Sequence, residues 1–226
     1  MASLETIAQE AATDLEVIVV DGGSGPDILR VAGEFPWANI ISEPDNGIYD
    51  AMNKGLDRSQ GSFIWFLNGG DECSLSSWQV IREPLECLPQ AVIFAAYHLR
   101  IGPRSIRRLP RKPGYMWHGL PTSHQAIFYP GEKAREVRYD ERFSMVGDYH
   151  FTARMLGIGL PVRLIDLAVA SFYMDGVSFK HSHRVALEAA VVQRETLKSP
   201  AVLRYVSRVR HSISRNVRRF QSDMWR

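Results

Sequence analysis

Two short apolar runs constrain most strongly what this chain of 226 residues can fold into. Residues 15–20 read Leu15-Glu16-Val17-Ile18-Val19-Val20, and residues 62–67 read Ser62-Phe63-Ile64-Trp65-Phe66-Leu67. Runs of this length, rich in β-branched and aromatic residues, read as strands buried on both faces. Each stops at a glycine-rich acidic turn, Asp21-Gly22-Gly23 and Asn68-Gly69-Gly70-Asp71. Short strands are expected at 39–42 and 91–98. Helical composition marks 4–12 and 74–86, and a helix over 47–57 puts Ile48, Met52 and Leu56 on one face. Ser24 or Gly25 can cap another helix, with Pro26 in its first turn. This alternation predicts an α/β chain with a mostly parallel, doubly wound sheet flanked by helices. Further along, a strand is expected at 124–129, a helix at 148–157, strands near 161–173, and helices at 180–197 and 201–222.

Composition narrows the class. Hydrophobic residues make up 45% and charged residues 23%, which excludes a disordered chain and a collagen-like repeat. Two cysteines, Cys73 and Cys87, are too few for a zinc cluster and read as reduced thiols. No apolar run approaches the roughly 18 residues that span a bilayer. The N-terminus has no basic region followed by an apolar stretch, so the expectation is a cytoplasmic protein. The charge is uneven. Residues 198–226 carry eight Lys or Arg against Asp223, while the whole chain is only +2, so residues 1–197 sum to −5.

If the two buried strands are parallel, their ends lie on one sheet edge, where open α/β folds bind ligands. A carboxylate beside glycines can hold a ligand hydroxyl or serve as a hard oxygen ligand for Mg²⁺ or Mn²⁺. The plainer reading of each Asp-Gly step is turn chemistry. There is no G-x-G-x-x-G after a first strand and no P-loop Gly-Lys-Ser/Thr, so a metal-bridged diphosphate suits the carboxylates better.

Taken together, Glu16-Val17-Ile18-Val19-Val20-Asp21-Gly22-Gly23-Ser24, the stretch from Glu43-Pro44-Asp45-Asn46-Gly47-Ile48-Tyr49-Asp50 through Asn53-Lys54-Gly55, and residues 61–71 resemble the family 2 glycosyltransferases. The branch they look most like assembles bacterial exopolysaccharide of the colanic-acid type. The similarity continues at Ser123-His124-Gln125-Ala126-Ile127-Phe128 and Phe143-Ser144-Met145-Val146-Gly147-Asp148, and ends near Asp175-Gly176-Val177-Ser178. It implies a GT-A fold over residues 1–180 and an inverting transfer of a sugar from a nucleotide-diphosphate donor to a saccharide acceptor, with a divalent cation (Mn²⁺ or Mg²⁺). By the same resemblance Asp21 contacts the base, Asp71 is the metal ligand with Asn68 at the other end of its motif, and Asp148 matches the catalytic base. Here Gly147 precedes that base in place of an acid. A helix N-cap is an equally open reading of Asp148. Gly22 and Gly23 belong to the donor site. Asp45, Asn46, Asp50 and Asn53 either contact the donor or cap the helix that follows.

Other features are weaker. His124 and Gln125 enter an apolar strand as acceptor contacts or as hydrogen-bonded core groups. His181 and His183 could complete a metal shell or stay solvated, and Trp117-His118 could stack on a sugar face. Residues 181–226 form C-terminal helices with a basic amphipathic tail. Its stripe Val202, Val206, Val209, Ile213, Val217 and Phe220 either packs on the body or lies on an anionic membrane surface. The second reading implies a polyprenyl-linked acceptor and a peripheral place on the inner face of the plasma membrane. Acidic strand ends argue against a nucleic-acid partner. Family members open with a central strand, and here residues 3–7 already resemble the helix that follows it. A gap is then expected between strands 15–20 and 62–67. The alternative function is an N-terminally incomplete nucleotide-sugar-binding homologue with weak or no activity.

Overall fold

The computed structural model describes residues 2–8, 14–74, 78–173 and 181–223. Its centre is a strand whose first half is closed to water. β5 (Val92–Ile101) is fully buried from Val92 to Ala96 and sends alternate side chains to two cores. Val92 and Phe94 enter a cluster with Leu56, Ile64, Ile127, Tyr129, Phe151 and Met155. Ile93 and Ala95 enter another with Ile81, Leu85, Phe128 and Val169. β7 (Ile127–Pro130) repeats the alternation, with Phe94 opposite Ile127 and Ile93 opposite Phe128.

The six-stranded sheet runs β3 (Phe63–Trp65), β7, β5, β8 (Val162–Tyr173), β4 (Glu72–Cys73), with β6 (Arg104–Arg108) paired to β5 beyond β7. β5 and β8 are parallel, and β3 points the same way because β7 lies antiparallel between β3 and β5. The α/β class is as expected, but the sheet is mixed rather than mostly parallel. The chain from β5 to β7 stays on one edge of the sheet through β6 and a 3₁₀ turn (Pro113–Trp117) instead of crossing back in a helix, so β7 must enter antiparallel.

β1 (Ile18–Asp21) and β2 (Asn39–Ser42) form a separate two-stranded parallel sheet. The acidic turn after β1 and the one after β3 therefore close two different sheets, not one edge of a single sheet. Helices α3 (Ile48–Arg58), α5 (Gly131–Val137) and α6 (Gly147–Gly157) cover the first core. α4 (Trp78–Cys87) covers the second. α1 (Ala2–Ala8) lies against the turn before β4, where the Ser3 hydroxyl donates to the Asp71 carbonyl at 2.6 Å. α2 spans Asp27–Glu34, with Pro26 rather than Ser24 or Gly25 at its N-cap.

α7 (Ser182–Glu195) and α8 (Ala201–Asp223) close the chain. Ala189 and Val192 of α7 join Met116, Phe143, Val146 and Tyr149 in a third cluster behind α6. α8 docks by polar residues. Ser207 is 1% exposed, between His118 Nδ1 at 3.0 Å and Gln193 Nε2 at 2.9 Å. The apolar stripe points away: Val202 is 72% and Tyr205 69% exposed, and Val206 and Val209 are exposed too. Of the two readings of that stripe, packing on the body does not hold for Val202, Val206 and Val209. Ile213, Val217 and Phe220, like residues 9–12 and 174–180, lie outside the described side chains or residues. Among the described residues no helix is long and apolar enough to cross a membrane.

Candidate active site

The turn after β1 is built around its own carboxylate. Asp21 Oδ2 accepts from the backbone N–H of Gly23 at 3.1 Å and Ser24 at 3.0 Å, and from the Ser42 hydroxyl at 2.8 Å. The Ser24 and Ser42 side chains hold it below the usual carboxylate range. Gly22 packs directly under the Asp45 carboxylate, and a Cβ there would lie 2.9 Å from Asp45 Cγ and push that side chain aside. Asp45 Oδ1 in turn accepts from Gly47 N at 2.9 Å, and Asp50 Oδ2 accepts from Asn46 N at 2.8 Å. Asp21, Gly22, Gly23, Asp45, Asn46 and Asp50 thus form one exposed acidic rim at the start of α3.

Asn53 does not join that rim. It is 4% exposed and clamps the backbone of Tyr139, giving Nδ2 to the carbonyl at 3.1 Å and taking the N–H at 2.8 Å. The buried face of α3 is Tyr49, Asn53 and Leu56, while Ile48 is 48% exposed. The expected face of Ile48, Met52 and Leu56 is thus corrected at Ile48. The fold chooses Tyr49 because its ring stacks on Tyr139 and fills the space in front of Gly147.

On the edge of the large sheet, Asp71 is buried and accepts from Gln125 Nε2 at 2.6 Å. Gln125 is held by the Ser123 hydroxyl at its Oε1, and its carbonyl accepts from Trp65 Nε1 at 2.8 Å. Asn68 stands at the other end of the turn, its carbonyl accepting from Asp71 N. His124 faces inward. Its ring stacks on Phe66, Nε2 meets the Tyr139 hydroxyl at 3.0 Å, and Nδ1 is buried without a partner. Burial pushes it down to about 3, so it is neutral.

Tyr139 links this edge to Asp148. Its ring also stacks on Phe151 of α6, and its hydroxyl, like those of Tyr49 and Tyr129, is held above its usual value by burial and by the charge of Asp148. Asp148 sits in the first turn of α6, whose N-cap position is Val146, so Asp148 is not the cap itself. Its Oδ1 accepts from Tyr149 N at 2.8 Å. Burial pushes the carboxyl up to about 6, offset only in part by that N–H. The residue as a whole keeps partial exposure.

α7 fixes the approach to this helix. Glu188 accepts from three successive backbone N–H groups, Ser144, Met145 and Val146, at 3.1, 2.9 and 3.2 Å. Neither this carboxylate nor the tyrosine cluster carried a sequence signal, because each partner is remote in the chain. Trp117 and His118 face α8, with Arg210 over the Trp117 ring and His211 4.4 Å from His118. His181 and His183 join no metal set: among the described residues no group of three or more His, Cys, Asp or Glu could hold an ion. Asp71 is a single buried carboxylate in the turn before β4. That donor set fits a cation whose remaining ligands are phosphate oxygens and water.

These features are those of a GT-A glycosyltransferase. The family model described as "Glycosyl transferase family 2" matches residues 2–155, and the chain belongs to that family. It is 28% identical over 211 residues to the PGL/p-HBAD biosynthesis glycosyltransferase of Mycobacterium bovis, covering 87% of this chain and 77% of that protein. It is 31% identical over 192 residues to a glycosyltransferase of Mycobacterium tuberculosis, covering 78% and 69%. The amylovoran biosynthesis glycosyltransferase of Erwinia amylovora is 21% identical over 172 residues, covering 70% and 64%. The fold is also that of S. aureus TarS 1–349, solved in complex with UDP, at a TM-score of 0.63 and 16% identity. That match covers 86% of this chain, which spans 61% of the solved TarS chain.

Proposed function

We propose that the chain catalyses an inverting sugar transfer from a nucleotide-diphosphate donor to a hydroxyl of a saccharide acceptor in bacterial surface or exopolysaccharide synthesis. The observation that carries this is Asp148. A sugar hydroxyl is a poor nucleophile and needs a base whose proton affinity is near the working pH. Burial gives Asp148 that affinity, and α6 holds it over a wall of tyrosines that reaches the Asp71 edge. As the acceptor oxygen bonds to the anomeric carbon, its proton passes to Asp148. The bond from that carbon to the diphosphate breaks, and the diphosphate leaves with the electron pair.

The donor lies across the acidic rim. Asp21 contacts the base, Gly22 and Gly23 let the donor approach the backbone, and Asp45, Asn46, Asp50 and Asn68 contact its polar groups. Asn53 supports them by fixing α3 to Tyr139. Asp71 would hold a divalent cation, Mn²⁺ or Mg²⁺, which would supply positive charge for the leaving diphosphate. Gln125 orients Asp71, and with His124 it forms the floor under the acceptor.

The acceptor is lipid-linked, of the polyprenyl type, and the enzyme works peripherally at the cytosolic membrane face. Supporting this, α8 turns Val202, Tyr205, Val206 and Val209 outward, with Arg208 and Arg210 exposed beside them. The test of the transfer is Asp148→Asn. Turnover falls on the order of 10²-fold or more while donor affinity holds. An equal loss in binding and turnover would make Asp148 structural. Donor binding without nucleotide-diphosphate release by the unsubstituted chain would make it a binding homologue.

A further inference from the structure

β6 is the one strand of the large sheet with every residue exposed. Residues 100–112 carry five arginines and one lysine with no carboxylate, inside a body, residues 1–197, whose net charge is −5. Aliphatic side chains alternate with these cations: Ile101, Ile106 and Leu109 are 37%, 36% and 55% exposed.

The hairpin's position follows from register. β7 pairs β5 only at Ile93 and Phe94, and from Tyr97 to Ile101 the ladder on β5 passes to β6. The end of the hairpin therefore lies level with the edge that holds Asp71, because Leu99 of β5 pairs with Phe172 of β8 while Glu72 of β4 pairs with Ser171. Both arms are anchored there. Arg100 reaches Glu72 at 3.8 Å, the Tyr173 hydroxyl donates to Glu72 at 2.8 Å, and Arg107 pairs with Asp166. The chain then runs into the turn Pro113–Trp117, where Arg111 lies 4.1 Å over Tyr115 and Arg210 of α8 lies 5.6 Å over Trp117. The end of the hairpin arm and α8 thus both contact this turn.

We propose that the β5–β6 hairpin is a second membrane-docking element, with anionic phospholipid headgroups as its partner. Cations alternating with aliphatic groups match a planar interface, where guanidinium groups meet phosphates while Ile106 and Leu109 enter the acyl boundary. An added peptide strand fits less well, because the crowd of arginines repels edge-to-edge pairing. Docking through this hairpin holds the site edge at the bilayer surface. The inference extends the membrane reading of α8, but it rests on different residues and is read without turnover.

The experiment is flotation of the full chain with acceptor-free vesicles, either phosphatidylcholine alone or mixed equally with phosphatidylglycerol. R104Q/R108Q/K112Q weakens partition onto the anionic vesicles on the order of 10²-fold at low salt, since each cation near such a surface is worth about fivefold. Partition onto the neutral vesicles stays unchanged. R104K/R108K keeps the binding. I106S/L109S weakens what remains at about 1 M salt, where the Debye length is about 3 Å. Circular dichroism and thermal unfolding confirm that each variant is folded. Unchanged partition of folded R104Q/R108Q/K112Q, or a loss that R104K/R108K shares, overturns the proposal. So does a loss confined to binding of an RNA duplex, which would assign the hairpin to nucleic acid. A chain that never releases nucleotide diphosphate yet passes these tests would refute the transfer reading alone.

Discussion

Replacing Asp148 by asparagine removes a buried charge while keeping the shape of the side chain and its capacity to accept from Tyr149 N. Burial raises the Asp148 carboxyl from 3.8 to about 6 in the folded chain. Between those values the folded state binds more protons than the unfolded one, so stability falls as pH rises through the interval and stays reduced above it. A shift of about two units corresponds to about 3 kcal/mol. Partial exposure of the residue and the new amide N–H₂, which needs a partner, reduce the measurable gain to about 1–3 kcal/mol. Asp148→Asn is therefore expected to be more stable than the unsubstituted chain at pH 7.5. For a domain of this size the gain appears as a rise in Tm on the order of 5 °C. The assay is urea unfolding across pH 4 to 8. The advantage is complete above about pH 7 and is mostly lost by pH 4, close to the unfolded value of 3.8. A destabilised variant, or a difference that does not change with pH, would refute the claim that this carboxylate is held charged at a cost.

Three further outcomes follow from the geometry. Asp71→Ala abolishes the Mn²⁺-dependent part of nucleotide-diphosphate affinity by calorimetry, and an unchanged affinity would reduce Asp71 to a turn residue. Gly147→Ala places a Cβ 2.6 Å from the Tyr49 ring, so it costs about 1–3 kcal/mol in urea unfolding and lowers turnover by shifting the start of α6. Asn53→Ala leaves the buried Tyr139 N–H without its acceptor and costs about 2–3 kcal/mol, with a smaller effect on donor affinity than on stability.

The buried strands were legible because β-branched and aromatic runs carry their own signal. Val92 to Ala96 and Ile127 to Tyr129 lie in the core as expected. β6 was not, because strand pairing there is made by Arg104 to Arg108, whose composition reads as a loop. The antiparallel entry of β7 depends on which edge the chain from β6 follows, and no local pattern records that. In the candidate site, Asp71 and Asp148 were named through the family resemblance of their motifs, and Gly22 through the turn that it shares with Asp21. The burial that tunes Asp148 comes from residues as far off as Tyr49 and Tyr129, so its proton affinity was not readable. Asn53 looked like a ligand contact because it shares a motif with Asp50, yet one helical turn separates a rim position from a core position. The α8 stripe was visible as a period, but its outward direction is set by Ser207 docking between His118 and Gln193.

The central claim is that Asp148 accepts the acceptor's proton, and the pH dependence of nucleotide-diphosphate release tests it most directly. With donor, acceptor and Mn²⁺ present, kcat/KM is predicted to fall about tenfold per pH unit below about 6, the value to which burial pushes this carboxyl. Asp148→Asn retains a small residual rate without that limb. A rate that is flat from pH 5 to 8, or an acidic limb that persists in Asp148→Asn, would contradict the account.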